Sequence, residues 1–562
     1  MSVDVPHSRH QGGHIHDGCA GGRGRAFDRT RICDRRAVDD QRGVPDRFSA
    51  SRDEDVRFDP QHRVRNRGTA EERSGGARYR EPYRSVPVPA AMAGFAPPEV
   101  GRALDARFPE ALEYTRRLLR QPSVSATGEG IRECSELVRQ MMADIGCKTR
   151  TWAKGGHPLV IGELDVGAPV TLIVYEMYDV QPVGDLKAWQ APPFAAEIRD
   201  VPGVGRAVIG RGSTNSKGAL ANHLFTWKTI RDVDEMPVNL KILAEGEEEI
   251  SSANFIAYIR THRRELKADA AIANDYSEDL RGVPTIYLGV KGCLYLTVWS
   301  RGNPQAGGPM DSEIHSSNAV WIGSPVWRLL QALNTLVDED QRPAIDGIWD
   351  DVVPPTKRDS AMVKTLAKTF DPSAWLQEER TAKFKFDLPK DELLLKYLFE
   401  PTVNICGIYS GYIEHGGTKT VLPHEAYAKI DIRLVKDMTV EGTLRKLRAH
   451  LKKRGYDDLR IEVHGPYGPA KTDPGSWIAK AAVEAVEANG KQPEVWPSSG
   501  GTMPAFAFDE YLKLPWVSMG LGHGSRAHAP NEYASIDGMK RFMAGEATLL
   551  YAAAKRAPKR PR

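Results

Sequence analysis

Three apolar, β-branched runs, each broken off by polar and glycine-rich letters, constrain this chain more than any other feature. They are IVYEMYDVQP (173–182), GRGSTNSKG (210–218) and LAEGEEEIS (243–251). A run of this kind is a buried strand that delivers its last residues to a loop. Open α/β sheets bind ligands at such strand ends. Carboxylates collect there: Asp179, then Glu247, Glu248 and Glu249. Adjacent acids repel and call for a cation, a shared proton or solvent. Three in a row are also ordinary in a solvated loop, so spacing alone leaves both readings open.

The surroundings supply an α/β grammar. Helical spacing marks 97–122, a second helix closes at Gly146, and PLVIGELD and PVTLIVYEM follow as strands. Helices alternating with strands predict an α/β layer architecture. From about Cys293 the order becomes β-α-β-β-α-β, which is ferredoxin-like. Here CLYLTVWSRG is a strand, and Ser324-Pro325 reads as an N-cap with proline at the first helical position. EAYAKIDIRLV alternates strictly, and the charged stretch 340–400 reads as an insertion in this unit. The pattern therefore divides the chain into two α/β parts, 96–292 and 469–555, with 293–468 between them.

Residues 1–91 differ from the rest. They hold eighteen Arg and no Lys, and the first Lys of the chain is Lys148. Such a composition buries little surface, so disorder is expected. The native start is equally well placed at Met92, with His10, His14 and His16 upstream of it as tail residues rather than ligands. In 562 residues with a net charge of +3, no apolar run reaches membrane length and no basic stripe marks a nucleic-acid binder. Six scattered cysteines without CxxC pairing suit a reduced, cytoplasmic setting.

The three blocks resemble the signatures of the M20 family of metallopeptidases and amidohydrolases, which includes dipeptidases, carnosinases and acylases. There the blocks read His-x-Asp, Gly-x-x-Asp-x-Lys-Gly and Glu-Glu; here they read Met177-Tyr178-Asp179, Gly212 to Gly218 with Asn215 in the Asp place, and Glu248-Glu249. Two further segments are similar to later family blocks: 268–292, where the count back from Gly289 selects Asp275, and LPWVSMGLGHGSRAHAPNEY, which selects His528. The resemblance implies a zinc-exopeptidase-like α/β/α catalytic domain with an inserted ferredoxin-like lid and dimerisation domain. It also implies a homodimer that cleaves a peptide or N-acyl C–N bond in a small carboxylate-bearing substrate.

By the same resemblance Glu248 is the general base, Glu249, Asp275, His528 and Asn215 are metal positions, and Asp179 orients the first family histidine. His315 steadies the oxyanion, and Arg433 with Gly500, Gly501 and Thr502 holds the substrate carboxylate. The family uses two divalent ions (Zn²⁺, Mn²⁺ or Co²⁺). A thioether at 177 is too soft for that role and a carboxamide at 215 brings no charge to bridge two ions. Fewer than two ions per chain are therefore expected, down to none, with Glu176 as a spare carboxylate. The alternative reading is a non-catalytic relative that binds a peptide-like ligand or a partner. Serine hydrolysis has no support: there is no G-x-S-x-G, and Ser525 lacks a strand–elbow–helix setting.

Overall fold

The structure is a computed structural model that describes residues 95–558 except His415; the segment 1–91 lies outside the described residues. Its centre is a six-stranded sheet. The strands run in the order Lys148–Trp152, Leu159–Leu164, Asn239–Glu245, Thr171–Met177, Ala270–Ile272 and Trp516–Val517. The last four are parallel to one another, and the register sets Met177 opposite Glu245 and Val174 opposite Ile272. Parallel pairing therefore brings three carboxyl-terminal strand ends side by side, and these ends lead into Asp179, Glu247 to Glu249, and Asp275.

Side-chain alternation divides the sheet's two faces between two cores. Val160, Leu172, Val174, Leu240 and Ile242 face one, packed by helices Ile131–Asp144, Lys217–Val233, Trp477–Ala488 and Ile536–Arg556. Ile161, Ile173, Tyr175 and Leu243 face the other, packed by helix Ala253–His262 and the turn around Phe506 and Phe508. This is the three-layer α/β/α arrangement that the resemblance implied.

A second sheet was not legible in the sequence. Hairpin Glu197–Val201 and Gly205–Ile209 pairs with Tyr533–Ser535, which pairs in turn with Gly524–Ser525. These strands are short, and the partner of Gly205–Ile209 lies more than three hundred residues away along the chain. Pairing at that range leaves no local periodicity to read.

The ferredoxin-like unit is as expected. Antiparallel strands lie in the order Thr402–Ser410, Glu425–Leu434, Gly292–Arg301, Arg460–Tyr467, covered by helices Pro325–Asn334 and Val440–Lys453. Ser324 caps the first helix by accepting from Trp327 N, and Thr439 caps the second by accepting from Gly442 N. Ala426, Ala428, Ile430 and Ile432 all turn into this core.

The insertion packs elsewhere. Helices Lys357–Thr369 and Lys390–Phe399 place Val363, Leu366, Phe370, Leu394 and Leu398 around Trp496, on the strand Glu494–Trp496. Trp375 stacks on the same indole at 6.1 Å. A segment rooted in the ferredoxin-like sequence thus buries its apolar side against the chain that follows it.

Candidate functional site

The 210–218 loop is fixed by a charge pair sealed from water. Arg211 and Glu532 meet at 2.7 Å, and each side chain is 1% exposed. The other oxygen of Glu532 accepts from the backbone N–H groups of Thr214 (3.0 Å) and Asn215 (2.9 Å). Arg211 Nη2 donates to the carbonyls of Pro182 and His528. One ion pair therefore joins the first block, the second block and the histidine segment. Neither Arg211 nor Glu532 was singled out by sequence, because a lone Arg after a Gly and a lone Glu after an Asn carry no spacing signal.

Above this anchor, Asn215 Nδ2 lies 2.7 Å from Glu249 Oε1 and 3.0 Å from His528 Nε2. Those two atoms are 3.1 Å apart. Gln181 donates to the remaining oxygen of Glu249 at 2.8 Å. The hydrogen bond to Glu249 raises the proton affinity of His528, although its side chain is 56% exposed and solvent weakens the effect.

Asp179 does a different job from the one expected. With methionine at 177 there is no imidazole for it to orient. Its two oxygens instead accept from the backbone N–H groups of Glu248 (3.1 Å) and Glu249 (3.0 Å). Asp179 is thus the clamp on the acid loop. Burial, with the charge of Glu249 adding to it, pushes its carboxyl up to about 7.

Met177, Asn215, Glu248, Asp275 and Thr502 line one cavity of about 210 Å³, together with Glu176 and Ser216. The Glu248 side chain has no hydrogen-bond or ion-pair partner among the described residues. Burial first, then the charges of Glu249, Asp179 and Glu245, hold its carboxyl well above the usual range. Asp275 Oδ2 accepts from Ser216 Oγ at 2.6 Å, and its Oδ1 from Tyr276 N at 2.7 Å. A larger hollow of about 600 Å³ by the insertion contains Arg281 and Arg358. Both arginines are already paired, with Asp279 and Glu494 and with Asp473, and no free acid stands there.

Glu176 is not spare. Its carboxylate lies 3.0 Å from His223 Nε2, while His223 Nδ1 lies 3.2 Å from Glu546. All three side chains are buried. Burial disfavours charge on that ring, but Glu546 and Glu176 outweigh it and hold the imidazole well above its usual range. A ring protonated on both nitrogens would face both carboxylates, and burial also raises the proton affinity of Glu176. This triad was invisible in the sequence, where His223 sits unremarked in a helix whose apolar face draws the eye.

The remaining candidates divide. Arg433 Nη1 donates to Thr502 Oγ1 at 2.6 Å, and its Nε pairs with Asp431 at 3.1 Å, so this arginine is tied to the cavity wall. Gly501 N donates to Ser499 Oγ at 3.1 Å and Gly500 packs under Tyr397, which keeps the turn beside Thr502 closed. His315 is exposed, bonded to Ser317 and Thr420, and is not part of the cavity lining.

The donor set tests the fit of metal ions. Donors about 2.0–2.1 Å from a tetrahedral zinc stand about 3.3 Å from one another. The Asn215, Glu249 and His528 atoms approach that spacing, so they suit one ion if the carboxamide presents oxygen in place of nitrogen. The second position offers a thioether, an aspartate already bonded to Ser216, and a glutamate committed to His223. Among the described residues no three His, Cys, Asp or Glu side chains come together as a metal cluster. The residues fit one ion and do not fit two.

Asp275 gives a pH test. Burial, opposed by the bonds from Ser216 and Tyr276, pushes its carboxyl up to about 7. The folded state therefore keeps a proton that the unfolded chain releases near pH 4. Its stabilising contribution is complete below that point and is lost as pH rises toward 7. In chelator-treated protein, Asp275→Asn is expected to flatten the fall in urea midpoint between pH 4 and 7 by about one proton's worth. An unchanged slope would show that the carboxyl is not held protonated.

Comparison with known proteins agrees with this architecture. The sequence profile of peptidase family M20/M25/M40 matches residues 175–552. The chain is 27% identical over 406 residues to the human Beta-Ala-His dipeptidase, covering 69% of this chain and 76% of that one. It is also 27% identical over 396 residues to the Cys-Gly metallodipeptidase DUG1 of Saccharomyces cerevisiae, covering 67% and 78%. The crystal structure of an M20 family metallo-carboxypeptidase from Sulfolobus solfataricus superposes with a TM-score of 0.74 at 34% identity, over 79% of this chain and 99% of that one. With the profile spanning more than half of its length, this chain belongs to peptidase family M20/M25/M40.

Proposed function

We propose that this M20 hydrolase cleaves a peptide or N-acyl C–N bond in a small substrate bearing a carboxylate, using one divalent ion or fewer. The observation that carries the reading is Glu248, a carboxyl aimed into the cavity with no protein partner, on a loop that Asp179 clamps from beneath. Relatives named dipeptidase, metallodipeptidase and metallo-carboxypeptidase support the reaction class. A Zn²⁺, Mn²⁺ or Co²⁺ ion held by Asn215, Glu249 and His528 would supply Lewis acidity to the scissile carbonyl.

The chain's own residues supply the proton transfers. Glu248 takes a proton from water as its oxygen bonds to the carbonyl carbon, then passes that proton to the leaving nitrogen as the C–N bond breaks. A carboxyl with raised proton affinity is suited to this exchange. Arg433, braced by Thr502 and Asp431, would meet the carboxylate end of the substrate with its remaining Nη2. Glu248→Gln is expected to lower kcat by about 10²–10⁴-fold with the fold intact by circular dichroism. Full activity in that variant would sink the base assignment.

Stoichiometry is tested by reloading chelator-treated protein with Zn²⁺ and measuring bound metal. One tightly held equivalent is expected, and two would overturn the argument from Met177 and Asn215. A non-catalytic, ligand-binding relative is the second reading, favoured by the carboxamide that already bridges Glu249 and His528. Turnover of any dipeptide or N-acyl amino acid by pure protein eliminates it.

His315 needs a second subunit to reach a cavity. It stands near exposed Val320 and Trp321, in a unit whose edge strand Thr402–Ser410 exposes Ile405, Ile408 and Tyr409. An open apolar edge of this kind invites pairing. A homodimer joined there would let His315 serve its partner's oxyanion. Sedimentation equilibrium is expected to show a dimer, and a monomer at every concentration would remove His315 from the site.

A further inference from the structure

Behind the Gly500–Thr502 turn lies a cation that the reaction so far does not use. Lys291 is 3% exposed. Its backbone N–H is shared by the carbonyls of Ser499 (3.2 Å) and Gly501 (3.1 Å), and its own carbonyl accepts from Thr502 Oγ1 at 2.9 Å. The lysine is thus built into the turn that lines the cavity, and the same Thr502 hydroxyl receives Arg433.

The ammonium is poorly compensated. It donates to the carbonyl of Glu400 at 2.7 Å and lies 5.9 Å from the centre of the Tyr397 ring. The Glu400 carboxylate is taken by Lys396 at 3.0 Å, and Asp431 is taken by Arg433. No carboxylate stands within ion-pair distance of Lys291 among the described residues. Burial and the neighbouring Arg433 charge both disfavour its proton, bringing the amine down to about 8. Arg433 is half-buried and holds Asp431, which leaves the buried Lys291 ammonium without a counter-ion, and a buried charge left over calls for an anion. The cavity that Thr502 lines is lined by Glu176, Glu248 and Asp275 as well.

We propose that Lys291 is a positioning residue that selects ligands ending in a carboxylate, acting with Arg433 through the Gly500–Thr502 turn. The insertion is part of this device. Glu400 and Tyr397 hold the ammonium from the far side, and Tyr397 packs so closely on Gly500 that no Cβ would fit there. Helix Lys390–Phe399 thereby braces the turn into which Lys291 is built. The inference rests on the carboxylate-bearing substrate proposed above.

The test is equilibrium binding, independent of turnover. Reduced-amide analogues of Ala-Ala, Ala-Leu and β-Ala-His, in which CH₂–NH replaces the scissile amide, are titrated by calorimetry beside their C-terminal carboxamides. Wild-type protein is expected to bind at least one carboxylate form about tenfold tighter than its carboxamide. Lys291→Met, which replaces a buried charge by an apolar chain of similar length, is expected to bring that ratio to about one. Lys291→Arg is expected to keep it, and Lys291→Gln is read in place of Lys291→Met if that protein does not fold. A neutral variant that keeps the full ratio overturns the role of Lys291 and leaves the carboxylate reading standing. Wild-type protein that binds none of the probes, or prefers neither form, overturns both.

Discussion

Everything in this site hangs on the pairing of Arg211 with Glu532. A buried pair is not by itself a source of stability, because desolvation offsets the Coulomb attraction. What the pair supplies here is position. Glu532 uses one oxygen for the guanidinium and the other for two backbone N–H groups, and Arg211 spends its free nitrogen on two carbonyls. Segments separated by more than three hundred residues thus meet at one pair of side chains. Removing either partner would strand the other charge in the interior and release the loop that presents Asn215.

Around that anchor the site has two electrostatic halves. Acids crowd the strand ends, where parallel pairing places them, and they are managed by different means. Asp179 takes backbone N–H groups, Glu176 takes the His223 ring, Asp275 takes the Ser216 hydroxyl, and Glu249 takes two carboxamides. Glu248 alone in this group is left without a protein partner, which is why the chemistry centres on it. The other half is cationic, with Arg433 and Lys291 gathered at the turn that carries Thr502.

Much of this was legible in the sequence and some was not, for physical reasons. Strands with their acids at one end show as apolar runs that break into polar letters, and Glu425–Leu434 shows its buried face by alternation. The helix after Ser324-Pro325 announces its own cap. The family blocks located Glu248, Glu249, Asp275 and His528, which the fold brings close to Asn215 and the cavity. Partners that depend on long-range packing left no trace. His223 meets Glu176 and Glu546 only because a helix crosses a strand end, and Tyr397 finds Gly500 only through the docking of the insertion on Trp496. The contacts of Asp179 with the backbone of Glu248 and Glu249 were not legible either, because they depend on how the 247–249 loop folds over the neighbouring strand end.

The Asn215 bridge has a consequence for the segments around it. Its carboxamide reaches both Glu249 Oε1 and His528 Nε2, while its backbone N–H is held by Glu532. A change of side chain at 215 would therefore be felt at once in the acid loop and in the histidine segment, so that three stretches distant in sequence answer to one short side chain as spokes answer to a hub.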